Sequence, residues 1–311
     1  MIMTTIGALA PVFGIILLGY LCGKANVLGE GAFEVLNRFV ITITLPVLTF
    51  LSIARMPPQS LLVPAMPIAV VGGALIAYAI GFLVESRLGR KMAEANIAAL
   101  CACFSNTGFI GLPIAVLTFG KAAIAPVAVT MLLYSAVIFT LSVVVSEVAA
   151  HRERGALHGL RVAGRAVMRN PLILLSSLGM AWSLLRLPLG GPMDTLLSTL
   201  AQATAACALT AIGMFISLPR RTARPGPIAR AVVLKLAIHP LITAGLVFTV
   251  APLPPLWAAV AVLMAAMPCG ATSFVLAGKA GAWAQELSAW TVTLTTVLAA
   301  ITLLPILWLL T

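Results

Sequence analysis

The chain has 311 residues, 61% hydrophobic and only 9% charged, with a formal net charge of +11. A soluble domain carries about a quarter charged residues, so there is too little polar side chain here to cover a water-facing surface. This excludes an ordinary cytosolic enzyme, a disordered chain and a secreted disulfide scaffold. The basic residues lie between long apolar runs, which argues against nucleic acid as a partner. The remaining class is a polytopic membrane protein with the lipid bilayer as its solvent.

Residues 1–23 have no basic n-region and no small-residue cleavage site, so they read as a retained first span and not as a signal peptide. Segments free of Asp, Glu, Lys and Arg follow at 39–54, 56–84, 95–120, 122–146, 170–185, 195–219, 236–278 and 287–311. A helix needs about 20 apolar residues to cross the hydrocarbon core. The run 236–278 is about twice too long and is broken by Pro252, Pro254 and Pro255, so it holds two spans, near 232–250 and 256–278. The expectation is an all-α protein of ten transmembrane helices.

Charge tests that count. Odd-numbered connections hold 15 Lys and Arg residues, and even-numbered ones hold only Arg55, Lys121 and Arg186. By the positive-inside rule the odd connections are cytoplasmic and both termini face outward. The central connection, 150–170, carries Arg154, His158, Arg161, Arg165 and Arg169 on one side, with Ala156, Leu160, Ala163 and Val167 opposite. It reads as a cationic amphipathic helix on the inner membrane surface, drawn to anionic lipid. It divides the chain into a first half, 1–149, and a second, 171–311. In the first span Gly19 and Gly23 form a small-xxx-small pair, a hint of a homodimer.

Five spans on each side of the connector is an odd number, so a second copy must insert upside down, as an inverted repeat. Phe50-Leu51-Ser52-Ile53 and Phe215-Ile216-Ser217-Leu218 are related by the same offset as Asn106-Thr107-Gly108-Phe109 and Ala271-Thr272-Ser273-Phe274. The breakers concentrate in the corresponding spans 4 and 9. Span 4 contains Ser105-Asn106-Thr107-Gly108-Phe109-Ile110-Gly111-Leu112-Pro113, and span 9 contains Met267-Pro268-Cys269-Gly270-Ala271-Thr272-Ser273. Freed backbone groups at membrane depth survive only where they are buried or line a cavity. Paired interruptions of this kind point to a transporter's binding site.

These residues resemble those of the auxin efflux carrier family, and the likeness spans nearly the whole chain. It runs from Pro11-Val12-Phe13 through Leu36-Asn37-Arg38 and Leu45-Pro46-Val47-Leu48-Thr49-Phe50. It continues through Asn106-Thr107, Gly111-Leu112-Pro113 and Arg169-Asn170-Pro171-Leu172 to Met267-Pro268-Cys269-Gly270 and Ser273-Phe274-Val275-Leu276-Ala277. The resemblance implies two inverted five-helix repeats, a scaffold domain of spans 1, 2, 6 and 7, and a transport domain of spans 3–5 and 8–10. It implies that spans 4 and 9 cross at Pro113 and Pro268, in the manner of bile-acid symporters. It also implies that Asn106 holds a substrate carboxylate, carried by an elevator-like displacement across a bacterial inner membrane. Malonate, malate and auxin-like acids are the substrates it suggests.

Residue chemistry agrees with an anion site. Amides, hydroxyls and half-helix N-termini favour negative charge, and Asn106, Thr107, Gly108, Gly270, Thr272 and Ser273 supply them. Gln202 joins them if its span turns its polar side inward. An interhelical hydrogen bond is the plainer role for Asn106. Lys235 lies within snorkelling reach of the cytoplasmic end of its span, and His239, one turn further in, precedes Pro240. Both are candidates for coupling. Coupling to H⁺ through His239, to Na⁺ held by carbonyls and hydroxyls, or to no ion stays open, and no resident cofactor or metal is expected. A membrane enzyme lacks its catalytic constellation in this sequence. A sodium-coupled organic-anion symporter and an anion channel are the remaining alternatives.

Overall fold

Apolar sequence at membrane depth must satisfy its own backbone groups, and the helix does this within one segment. The computed structural model describes residues 2–56, 58, 63–150, 164–165, 168–218 and 224–310. Its principal helices are α1 (Ile2–Lys24), α2 (Ala32–Ala54), α3 (Ala65–Arg87), α4 (Met92–Cys103), α5 (Thr107–Phe119) and α6 (Lys121–Ala150). The second half adds α7 (Pro171–Leu184), α8 (Gly191–Ser217), α9 (Pro225–Thr249), α10 (Pro255–Ala266), α11 (Thr272–Ala277) and α12 (Ala282–Leu310). Among the described residues six of these, α2, α3, α6, α8, α9 and α12, are long and apolar enough to cross a membrane. The chain is an all-helical, multi-pass membrane protein. Most of the 150–170 connector, including Arg154, His158 and Arg161, lies outside the described residues.

Four helices contain a widened turn, at Val40–Thr44, Thr107–Gly111, Tyr134–Phe139 and Leu234–Ile238. Three precede a proline, Pro46, Pro113 or Pro240. A proline has no N–H and its ring crowds the carbonyl four residues back, so an extra residue in the preceding turn relieves the clash.

Glycine sets the closest approaches. A Cβ on Gly19 would strike the Thr210 carbonyl, one on Gly213 the Ile16 carbonyl, and one on Gly23 the Ser217 hydroxyl. The Gly19/Gly23 face is therefore covered by α8 of the same chain, which corrects its reading as a dimer face. The α7 helix lies against α2, where Ser183 donates to the Met56 carbonyl at 2.6 Å and Trp182 meets Phe50 edge-on. Helices α2 and α8 are tied by Arg55, which reaches Asp194 at 2.5 Å and Ser198 at 2.8 Å.

In a second group, α3 packs on α4 and α9. Asn96 of α4 is fully engaged there: it accepts from Tyr78 and Ser142 and donates to the Ser142 carbonyl and the Ser146 hydroxyl. The buried carboxylates sit at helix ends with cations. Glu85 pairs with Arg230 at 2.7 Å and Glu147 with Lys279 at 3.1 Å. Unpaired charge would be costly at those positions, and pairing removes most of that cost.

Candidate functional site

Helices α4 and α10 both stop where the chain turns extended, at Phe104 and Met267. The two breaks meet in an antiparallel bridge between Ser105 and Cys269. Asn106 N donates to the Pro268 carbonyl at 2.8 Å, and Gly270 N donates to the Phe104 carbonyl at 2.9 Å. Backbone groups released by the breaks thus satisfy one another across the crossing. Pro268 is part of the bridge. Pro113 is not; it lies in α5 beyond the widened turn Thr107–Gly111, so the predicted crossing at Pro113 is moved back to Ser105. Close approach is needed here too: a Cβ on Gly111 would fall 2.8 Å from Met264 Sδ.

Asn106 caps the turn that follows. Its Oδ1 accepts from Phe109 N at 3.2 Å. Only the amide oxygen can accept, so the cap fixes which way the amide faces. Its Nδ2 is left buried without a hydrogen-bond partner. A buried donor without a partner carries a desolvation cost of about 1–3 kcal/mol. A ligand that accepts its hydrogens removes that cost.

Asn106 is one of the residues that line a cavity of about 360 Å³. The cavity is lined by Asn37, Ile41 and Leu45 of α2 and by Asn170 and Pro171 at the start of α7. It is also lined by Phe104 to Phe109, by Met131, Tyr134, Ser135 and Phe139 of α6, and by Gly270, Ala271, Thr272 and Val275. Three of the four widened turns contribute to it. Apolar side chains dominate and a few polar groups converge, the usual composition of a small-molecule site. Gly108 gives room: a Cβ there would stand 3.0 Å from both Leu45 Cδ1 and Met131 Cε.

The expected residues divide cleanly. Asn106, Thr107, Gly108, Gly270 and Thr272 line the cavity together. Ser273 does not; it is fully buried behind the wall, bonded to the Gly270 carbonyl at 2.8 Å and to Ser288 at 2.9 Å. Gln202 is exposed, which corrects its expected inward orientation. Helix α8 turns Ala201, Thr204 and Ala208 inward instead, and Gln202 lies on a different face.

Lys235 also departs from expectation. It is fully buried and does not snorkel. Its Nζ donates to the Ala265 carbonyl at 2.7 Å and lies 3.2 Å from His239 Nδ1. Ala265 is in the last turn of α10, where carbonyls lack intrahelical partners and the helix dipole favours a cation. The other imidazole nitrogen, Nε2, is 3.3 Å from the hydroxyl of Tyr134.

Asn37, Tyr134 and Ser135 were not singled out from sequence. Asn37 belongs to the quoted segment Leu36-Asn37-Arg38, which was a usable signal. Tyr134 and Ser135 sit in an apolar stretch of α6, and only helix rotation brings them to the cavity. Asn170 has a local role as well, accepting from Leu172 N at 2.9 Å to start α7. Among the described residues no group of His, Cys, Asp and Glu is arranged to hold a metal.

Residues 4–307 match the family described as membrane transport protein. The chain belongs to this family, that of the auxin efflux carriers. It is 30% identical to a Rhizobium meliloti (strain 1021) protein named "Putative malonate transporter", over 97% of this chain and 95% of the relative. A Methanothermobacter thermautotrophicus (strain Delta H) protein named "Uncharacterized transporter" is 28% identical, over 85% of this chain and 84% of the relative. As a member of the carrier family the chain is a membrane transporter.

Proposed function

We propose that this carrier moves a small organic anion, a dicarboxylate such as malonate or malate or an auxin-like acid, by an elevator-type exchange of access. The observation that carries the reading is that Asn106, a residue of the cavity lining, has a buried Nδ2 without a hydrogen-bond partner. Thr107, Thr272 and Tyr134 add hydroxyls to the same wall, so a carboxylate finds donors without a buried Arg. The small cavity suits a short diacid, in keeping with the name of the 30% identical relative.

In this reading ten spans form two inverted repeats. The first is α1, α2, α3, the broken pair α4–α5 and α6; the second is α7, α8, α9, the broken pair α10–α11 and α12. Equivalent breaks that pair antiparallel support the inversion. The packing of α1 on α8, α8 on α2 and α2 on α7 supports a scaffold of these four helices. The remaining helices form the moving domain, and the cavity lies between the two groups, where sliding exposes it to either side. Both termini face outward from the inner membrane, the basic connector 150–170 rests on anionic lipid, and His239 and Lys235 are the coupling residues.

Uptake of labelled malonate into proteoliposomes tests the reading. Saturable uptake, stimulated by malonate on the opposite side and unchanged when choline replaces Na⁺, is expected. A non-saturating conductance would establish a channel, and loss of uptake in choline would establish a sodium symporter.

A further inference from the structure

The buried side chains Lys235, His239 and Tyr134 form an unbroken hydrogen-bonded row from the crossing to the cavity wall. Its direction follows from donor chemistry. A charged Lys has three donors and no acceptor, so His239 Nδ1 must accept. Neutral imidazole then carries its hydrogen on Nε2 and donates it to the Tyr134 oxygen. The phenolic hydrogen of Tyr134 is thereby freed for the cavity side, where Ser105 stands beside it. With Lys235 neutral the row reverses: Tyr134 donates to Nε2, and Nδ1–H donates to the amine. The cavity then faces the Tyr134 oxygen as an acceptor, which opposes an anion.

We propose that Tyr134 is a substrate-binding residue whose donor state is set by Lys235 through His239, so that one proton is taken up with each anion bound. This rests on the proposed anion site and names its coupling ion. The proton balance closes within the row. A proton arriving from the cavity bonds to the Tyr134 oxygen, the former phenolic hydrogen passes to Nε2, and the Nδ1 hydrogen passes to the Lys235 amine. The products are the ammonium of Lys235 and a Tyr134 hydroxyl turned to the cavity; no bond in the substrate forms or breaks. The domain then moves with one negative charge offset by one positive charge.

The surroundings leave Lys235 as the group that takes the proton. Facing it are the thiols Cys103 and Cys269, beside His239. Of the ionisable groups on the helices packed around it, Tyr78 is bonded to Asn96, and Glu85 is paired with Arg230. Glu94 lies in the first turn of α4, where it caps Lys91 N, and Glu286 lies near the start of α12. Cys101 of α4 is buried beside Cys269 and Ser273.

The test measures labelled malonate binding and proton uptake by the purified full-length protein in weakly buffered detergent, at about pH 8 to 9, above the usual range of carboxylates and histidine. Wild type is expected to take up one proton per malonate, with affinity falling as pH rises. Tyr134→Phe, which removes only the hydroxyl, is expected to bind about 10- to 150-fold more weakly and without proton uptake, the loss of one hydrogen bond to a charged group. Lys235→Met is expected to give weak binding independent of pH, while Cys103→Ala and Cys269→Ala keep the proton uptake. Tyr134→Phe with wild-type affinity and proton uptake would overturn the relay and leave the anion site standing. Absence of malonate and malate binding by the wild type would overturn both.

Discussion

The two strands of the crossing occupy matching places in one antiparallel bridge, yet they carry opposite residues. Where the first has Asn106, the second has Gly270. Asn106 is followed by α5, which runs on to Phe119, and its side chain caps that helix with its oxygen while its nitrogen has no hydrogen-bond partner. Gly270 is followed by the six-residue α11, and its missing side chain makes room for the Phe104 ring. Lys235 bonds the Ala265 carbonyl just before the second break. The two paired breaks thus carry unequal chemistry. The first has an amide nitrogen without a partner, and the second has close packing with the buried Lys235 nearby.

Substitutions can break this comparison. The largest effect is expected for Asn106→Ala, which removes the proposed ligand donor. Malonate affinity should fall about 10- to 150-fold, whereas the lost cap costs only about 1 kcal/mol of stability. Binding titrations read the first and thermal unfolding the second; unchanged affinity would remove Asn106 from the site. Gly270→Ala should do the reverse. Its Cβ would stand 2.9 Å from Phe104 Cδ1, and overpacking of this kind costs about 1–3 kcal/mol. The expected signature is a lowered melting temperature, with affinity reduced less than in Asn106→Ala.

Asn96 sharpens the contrast within one span. It is as buried as Asn106, but every hydrogen bond it makes is internal. Asn96→Ala should destabilise by about 1–3 kcal/mol, by leaving Ser and Tyr hydroxyls unpaired, with malonate affinity intact in the folded fraction. The smallest effect is expected for Asp194→Asn. The Arg55–Asp194 pair is about half and one-third exposed, and exposed pairs contribute about 0–1 kcal/mol. Transport by this variant should match wild type in the liposome assay.

Much of this was legible without coordinates. The apolar segments set which residues become helix, and the breakers placed the crossing next to Pro268 in the second half but eight residues too far along at Pro113 in the first. Asn106 stood out through the family resemblance and as an amide donor beside the break. The less legible residues share one property, that their role depends on rotation about a helix axis. Gln202 and Thr204 are two positions apart on α8, yet the first is exposed and the second buried. Lys235 was within reach of the interface by distance along its helix, but its turn points it at the Ala265 carbonyl. Gly19 and Gly23 pack on α8 because α8 brings its own Gly213 to the contact.

By itself the sequence determined the class of the protein, the placement of its apolar segments and its family. These follow from hydropathy, charge and local backbone chemistry, which are properties of neighbours along the chain. The tertiary structure alone decided that Ser273 is behind the wall, that Tyr134 and Asn37 are in it, and that Lys235 and His239 connect to it. Those relations join residues a hundred or more positions apart, such as Tyr134 and His239. They depend on how each helix is turned about its axis, which an almost uniformly apolar sequence leaves unspecified.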